Sequence, residues 1–256
     1  MKQSFKKQLT LATILSLASI STVYAEVKDT IEKSFVVNEQ TSLRLANING
    51  GVDIQGWSND EIRITATVTA ENQTDRDRIN LDFSESSSGV SVETIYQKQS
   101  SWGHNNSSGK VDYIVMVPFG AALTDIELVN GSLVIDKVRG DIKANTVNGT
   151  ISVQGLAANL ELNSVNGSIN ATYQQVGNNI DSVELTTVNG SIKLYMPGEL
   201  NATINAETMH GSIDTAFGLS SEKKMFSGRH LSGTVGSGDI TINLESVNGS
   251  IKVLKN

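Results

Sequence analysis

The chain has 256 residues, with 20 Lys+Arg against 27 Asp+Glu, 22 glycines, 2 prolines and no cysteine. The lack of cysteine excludes a disulfide scaffold, thiolate metal sites and cysteine nucleophiles. A formal charge of −7 leaves no basic field for nucleic acid.

Residues 1–25 have the pattern of a secretory signal: Lys2, Lys6 and Lys7, then an apolar stretch from Leu9 to Ile20, then Val23-Tyr24-Ala25 before Glu26. The apolar stretch is shorter than the roughly 20 residues of a membrane anchor and carries several Ser and Thr. The expectation is an exported, soluble product, periplasmic or secreted, cleaved after Ala25 and carrying no later membrane span. Cleavage removes three basic residues and no acidic ones, which leaves a charge of −10.

The first mature segment contains Ile48-Asn49-Gly50, the earliest copy of a tripeptide that returns throughout the chain. Residues 55–120 then differ. Ile62–Ala70, Val90–Tyr96 and Val111–Val117 have strand-like alternation, and Asp75–Leu81 suits a short helix or turn. A polar segment, Gln97–Lys110, separates the last two strands, which predicts a long hairpin closed off by Pro118. Trp57 is expected to be core or a staple. Trp102 and His104 lie in the polar segment and are the candidate contact residues, weighed against plain loop filler.

Beyond residue 120 the tripeptide becomes serial. The copies are Val129-Asn130-Gly131, Val147-Asn148-Gly149, Val165-Asn166-Gly167, Val188-Asn189-Gly190, Met209-His210-Gly211 and Val247-Asn248-Gly249. Gly131, Gly149 and Gly167 are 18 residues apart. The later gaps of 23, 21 and 38 place their extra residues between units. Apolar residues stand seven and five positions before each glycine, as in Leu160 and Leu162, and two and four after it, as in Ile169 and Ala171. This period of two on both sides of a corner makes each unit two half-buried strands. Asn-Gly is expected at the corner because both residues tolerate positive φ.

One such unit buries too little to stand alone, so the units must stack, with their asparagines superposed as a ladder. Asn-Gly between alternating strands is also a hairpin signal, and side-chain parity does not separate a solenoid from an antiparallel meander or sandwich. The repeated 18-residue period and the same residue recurring at one corner favour the solenoid. The expected fold is all-β, a single-stranded β-solenoid with an N-terminal β-hairpin elaboration, spanning residues 26–256 as one domain.

The outward positions supply little chemistry. Three residues after glycine come Asp53, Val134, Ser152, Asn170, Lys193, Asp214 and Lys252, with no carboxylate column. Six before it, the charges alternate in a manner suited to cross-rung pairs such as Lys143 with Glu161. The Ser or Thr after glycine is read as a hydroxyl ladder, because His104, His210 and His230 offer no oriented base. Their spacing predicts no metal site and the chain no cofactor. Aspartates at Gly140-Asp141 and Gly238-Asp239 are read as turn caps, and the Asn-Gly-Ser/Thr match to the glycosylation pattern as coincidence.

The run Val52-Asp53-Ile54-Gln55-Gly56-Trp57 into Glu61-Ile62-Arg63-Ile64, then Val111 to Pro118 and the serial Val-Asn-Gly-Ser units, resembles the bacterial exported putative-adhesin family of β-strand repeats, a domain of unknown function. The resemblance covers nearly the whole mature chain. It implies a right-handed β-helix-like fold with a surface or envelope role and brings no catalytic residues. The expectation is a non-enzymatic envelope structural or adhesion module whose partner is an envelope protein or glycan. The alternatives are a polysaccharide lyase or hydrolase, with a groove beside Tyr173–Asp181 or Ala216–Gly236, and a scaffold that self-assembles through an open edge at Ile251–Lys255.

Overall fold

The computed structural model describes residues 26–38, 40–97, 109–176, 180–223 and 228–256. In chain order the elements are β1 (Val27–Val36), β2 (Ser42–Asn49), β3 (Val52–Trp57), β4 (Glu61–Ala70), α1 (Gln73–Arg76), β5 (Ile79–Ser86), β6 (Gly89–Tyr96) and β7 (Gly109–Pro118). There follow β8 (Ala122–Asn130), β9 (Leu133–Asp136), β10 (Ile142–Asn148), β11 (Ile151–Leu156), β12 (Leu160–Asn166), β13 (Ile169–Tyr173), β14 (Ser182–Asn189) and β15 (Ile192–Met196). The last are β16 (Ala202–His210), β17 (Ile213–Thr215), β18 (Glu222–Lys223), β19 (Arg229–Val235), β20 (Ile240–Asn248) and β21 (Ile251–Lys255).

In every repeat the strand before Asn-Gly and the strand after it belong to different sheets. This settles the ambiguity of the Asn-Gly signal. A hairpin would pair the two arms with each other, whereas here each arm pairs in parallel with its equivalent one rung away. Ile142 faces Leu160 and Asn148 faces Asn166 in one sheet, and Ile151 faces Ile169 in the other. The 18-residue period makes this register possible, because identical positions superpose. The result is an all-β, β-solenoid-like molecule of two largely parallel sheets. A single buried cluster runs between them from Leu43 to Val253.

The arms predicted as a long hairpin, 90–96 and 111–117, do not pair. β6 lies beside β2 in one sheet and β7 beside β3 in the other. They form a rung of their own, β6 matching the arm before Asn-Gly and β7 the arm after it in the neighbouring rung. The alternation of apolar residues is the same in both arrangements, so it could not distinguish them. The tight hairpin of this region is instead β5–β6, turning at 87–88. Antiparallel strands close the ends: β4 and β1 beyond β7, β5 beyond β6, and β19 with β18 beyond β16. Such caps cover the last repeat of a solenoid. The edge strand β1 carries Lys28, Asp29, Glu32 and Lys33, charges that discourage pairing with another chain.

The rungs do not follow sequence order throughout. Strands β20 and β21 lie between β14/β15 and β16/β17, so Ile251–Val253 pairs on both sides, and Leu254 and Lys255 pair with β15. The expected open edge at this strand is therefore absent; the edge of that sheet is the three-residue β17. The local pattern of a rung states what it can stack on, and every rung here reads alike, so sequence spacing alone could not reveal the exchange.

Candidate functional site

The corner is built from five consecutive positions, each with its own task. Gly149 N donates to Asn166 O and Ile151 N to Ser168 O, so the backbone ladder skips one carbonyl and one N–H at each corner. Buried hydroxyls three residues before glycine take the inward-facing glycine carbonyls. Thr187 Oγ1 donates to Gly167 O at 2.9 Å, Thr208 Oγ1 to Gly249 O at 2.8 Å and Ser246 Oγ to Gly190 O at 3.1 Å. The outward N–H groups find the serine after glycine: Ser191 N donates to Ser168 Oγ and Ser212 N to Ser250 Oγ. Each hydroxyl thereby satisfies a backbone group that the turn would otherwise leave without a partner.

Sequence reasoning missed the inner hydroxyl column, although its signal was present: counted back three from glycine, Asn47, Thr146, Ser164, Thr187, Thr208 and Ser246 are all polar, and all are buried. Leu128 interrupts the column. Its neighbour Asn47 sends Nδ2 to Val111 O, Gly50 O and Asn49 O, but its Oδ1 is buried without a hydrogen-bond partner. At the equivalent place in β6, Thr94 bonds the phenol of Tyr113 at 2.7 Å. Burial pushes the Tyr113 pKa up to about 12, against the Thr94 hydrogen bond.

The corner glycines are required for a reason other than the expected one. Only Gly50 among the seven takes a left-handed φ, at 116°. The others are needed because rungs stack too closely for a side chain. A Cβ on Gly131 would lie 1.9 Å from Gly50 O, and one on Gly149 1.9 Å from Gly131 O.

The asparagines form the predicted ladder. Asn130 Nδ2 donates to Asn49 Oδ1 at 2.9 Å, Asn148 to Asn130 at 2.8 Å, Asn166 to Asn148 at 2.9 Å, Asn189 to Asn166 at 2.8 Å and Asn248 to Asn189 at 2.8 Å. At one end Asn49 meets Tyr96, whose phenol is raised by burial. At the other, His210 stands beside Asn248.

In six of the seven rungs an exposed apolar residue lies just before the corner asparagine or the histidine that replaces it. Ile48, Val129, Val147, Val165, Val188 and Met209 remain 38–49% exposed and follow one another along the stack, with the half-buried Val247 between the last two. Together with Asn145 and Asn163, whose side chains are joined by a hydrogen bond of 3.0 Å, Val129, Val147, Val165 and Val188 of this stripe line an open groove of about 430 Å³. A shallow, regularly spaced apolar groove with amide walls and a single carboxylate, Glu127, in its lining can hold an extended partner.

The remaining candidates resolve individually. Lys143 Nζ pairs with Glu161 Oε1 at 2.7 Å and Arg44 with Asp125 at 2.9 Å, as the alternating charges required. Trp57 is a staple: its indole N–H donates to Glu61 O and Arg63 lies over its ring. Beside the two inserts considered for an enzyme groove, Tyr173 is buried with its hydroxyl on Ala158 O, and Arg229–Val235 is a capping strand. Among the described residues no group of three His, Cys, Asp or Glu is placed to hold a metal ion. Trp102 and His104 lie outside the described residues.

Fold and face together define a class: a capped two-sheet β-solenoid that presents one long ladder edge. Residues 130–254, the stretch of serial repeats, match the family profile named Toastrack DUF4097. Among solved structures, a "putative cell adhesion protein" from Clostridium sporogenes is 15% identical, covering 89% of this chain and all of its own, with a TM-score of 0.56. A "putative adhesin" from Bacteroides fragilis is 14% identical over 88% of this chain and 97% of its own, with a TM-score of 0.41. At such identity the first likeness is one of fold. No curated protein matches the sequence.

Proposed function

We propose that this chain is an exported, non-enzymatic β-solenoid acting as an envelope structural or adhesion module in the periplasm or outside the cell. One observation carries the reading. The polar groups repeated on successive rungs, the inner hydroxyls, the asparagines and the serines, are spent on closing corners, while the outward positions change chemistry from rung to rung. Catalysis by a solenoid would need reactive groups converging on one spot. The Val/Ile/Met stripe beside the Asn ladder is the face that such a module would offer to its partner, and the fold shared with the clostridial protein agrees with an adhesive role.

Photo-crosslinking in cells tests this, with the reactive side chain placed at Val147 or Val165 on the stripe and, as control, at Ser152 on the other sheet. Adducts specific to the stripe positions and confined to the envelope or medium fraction are expected. Adducts at the control position alone, a cytoplasmic location, or turnover of an envelope polysaccharide that survives repurification would overturn the assignment.

A further inference from the structure

The corner opposite the Asn ladder carries a second built feature. Phe119 follows β7, Lys137 and Arg139 follow β9, Gly155 to Ala157 close β11, and Gln174 and Gln175 follow β13. Together they line an open cleft of about 570 Å³. Its backbone departs from the regular solenoid here. Lys137 is the one non-glycine residue with a left-handed φ, 57°, among the described residues. The β11–β13 register slips between Gln154 and Leu156, where Gly155 takes a φ of 71°. A Cβ on Gly56 would lie 2.0 Å from Lys137 O, and one on Gly155 would lie 3.0 Å from Lys137 N, so these two glycines admit the unusual turn. Bulges and left-handed residues in otherwise regular sheets commonly re-aim side chains at sites.

What they aim is positive charge, in a chain whose formal charge is −7. The Arg139 guanidinium lies 4.9 Å over the Phe119 ring and its backbone N–H donates to Phe119 O at 2.7 Å. Stacking fixes the plane of a guanidinium and leaves its N–H edge open for a two-point bond to a carboxylate. The ion pairs of the described residues do not include Arg139, and Lys137 has only a loose, exposed contact of 3.4 Å with Asp136. The two glutamine side chains on the third wall donate and accept at once, as hydroxyl groups require.

We propose that this cleft binds a carboxylate-bearing sugar, a segment of an acidic glycan, with Arg139 clamping the carboxylate, Lys137 adding a second positive charge and Gln174 and Gln175 meeting the ring hydroxyls. This site is separate from the stripe, and its failure would leave the adhesive reading of that face standing.

Titration calorimetry of the purified protein with tetragalacturonate tests it, with maltotetraose as the neutral chain of equal length and inorganic phosphate as a competing small anion. Tetragalacturonate is expected to bind in a salt-sensitive manner. Arg139→Gln is expected to weaken it about tenfold or more with the melting temperature unchanged. Lys137→Asn, which keeps a residue tolerant of the left-handed turn, should also weaken it and carries the test if the arginine variant does not fold. No binding, binding unaffected by either substitution, equal binding of maltotetraose, or displacement by phosphate at equal affinity would each overturn the proposal.

Discussion

A corner glycine in this molecule answers to its neighbour in the next rung. Where a turn needs positive φ, Asn replaces glycine at modest cost; where the space above the Cα is filled, any Cβ collides whatever its side chain. Gly149 belongs to the second kind, with its missing Cβ 1.9 Å from the Gly131 carbonyl. Gly149→Ala and Gly149→Asn should therefore cost about the same, roughly 2–4 kcal/mol, because each must push two rungs apart in a packed stack. Urea unfolding of the two variants checks this. If Asn were tolerated and Ala not, the corner would be governed by its backbone angles and the stacking argument would be wrong.

The Asn ladder is a property of seven corners taken together, and its end shows what one member contributes. Each amide donates to the rung before it and accepts from the rung after, so the column continues only while both groups recur at one spacing. The donor and acceptor nitrogens of an imidazole are fixed in a ring and point in other directions than those of a carboxamide, and with His210 the amide column ends at Asn248. His210→Asn should add one amide–amide hydrogen bond, worth about 0.5–1 kcal/mol, and raise the melting temperature by about 1–4 °C. A lower or unchanged value by calorimetry would mean that the exposed ladder is ornamental to stability. Much of this was legible in sequence. The asparagine, the glycine, the serine and the flanking apolar pairs, such as Leu160 with Leu162, recur at fixed offsets, and a fixed offset becomes superposition once units stack. The Lys143–Glu161 pair was readable for the same reason. What was not legible falls where identical patterns permit two arrangements: Val90–Tyr96 and Val111–Val117 alternate equally well as a hairpin or as one rung. The exposure of Val129, Val147 and Val165 was hidden too, since an apolar residue beside a corner reads as core until the turn is seen to swing it outward. The Phe119–Arg139 cleft draws on four rungs and an irregular turn, and no repeat announces it.

At the scale of the whole molecule, the exchange of the last two rungs decides how the structure is held. Residues 202–215 leave β15 and settle two places further along, and the vacant place is filled by β20 and β21 from residues 240–255. Those strands pair with β14 and β15 on one side and with β16 and β17 on the other. In a solenoid each rung is stabilised chiefly by its immediate neighbours, so stability approximates a chain of nearest-neighbour terms. Removing a terminal rung of an ordinary solenoid would fray one end. Here, removal of residues 240–256 severs the stack internally: β16 and β17 lose their parallel partners, leaving β16 only its antiparallel cap β19, while β8 to β13 keep theirs. Hydrogen exchange on that truncated protein should show protection lost across 200–235 and retained in Ile142–Asn166, with the boundary near Ser182–Met196. Uniform loss would mean the stack unfolds as one unit. Retained protection in Ala202–His210 would mean that β16 can dock directly on β14, whose sequence period it shares, and that the exchanged order is a preference of the chain's connections.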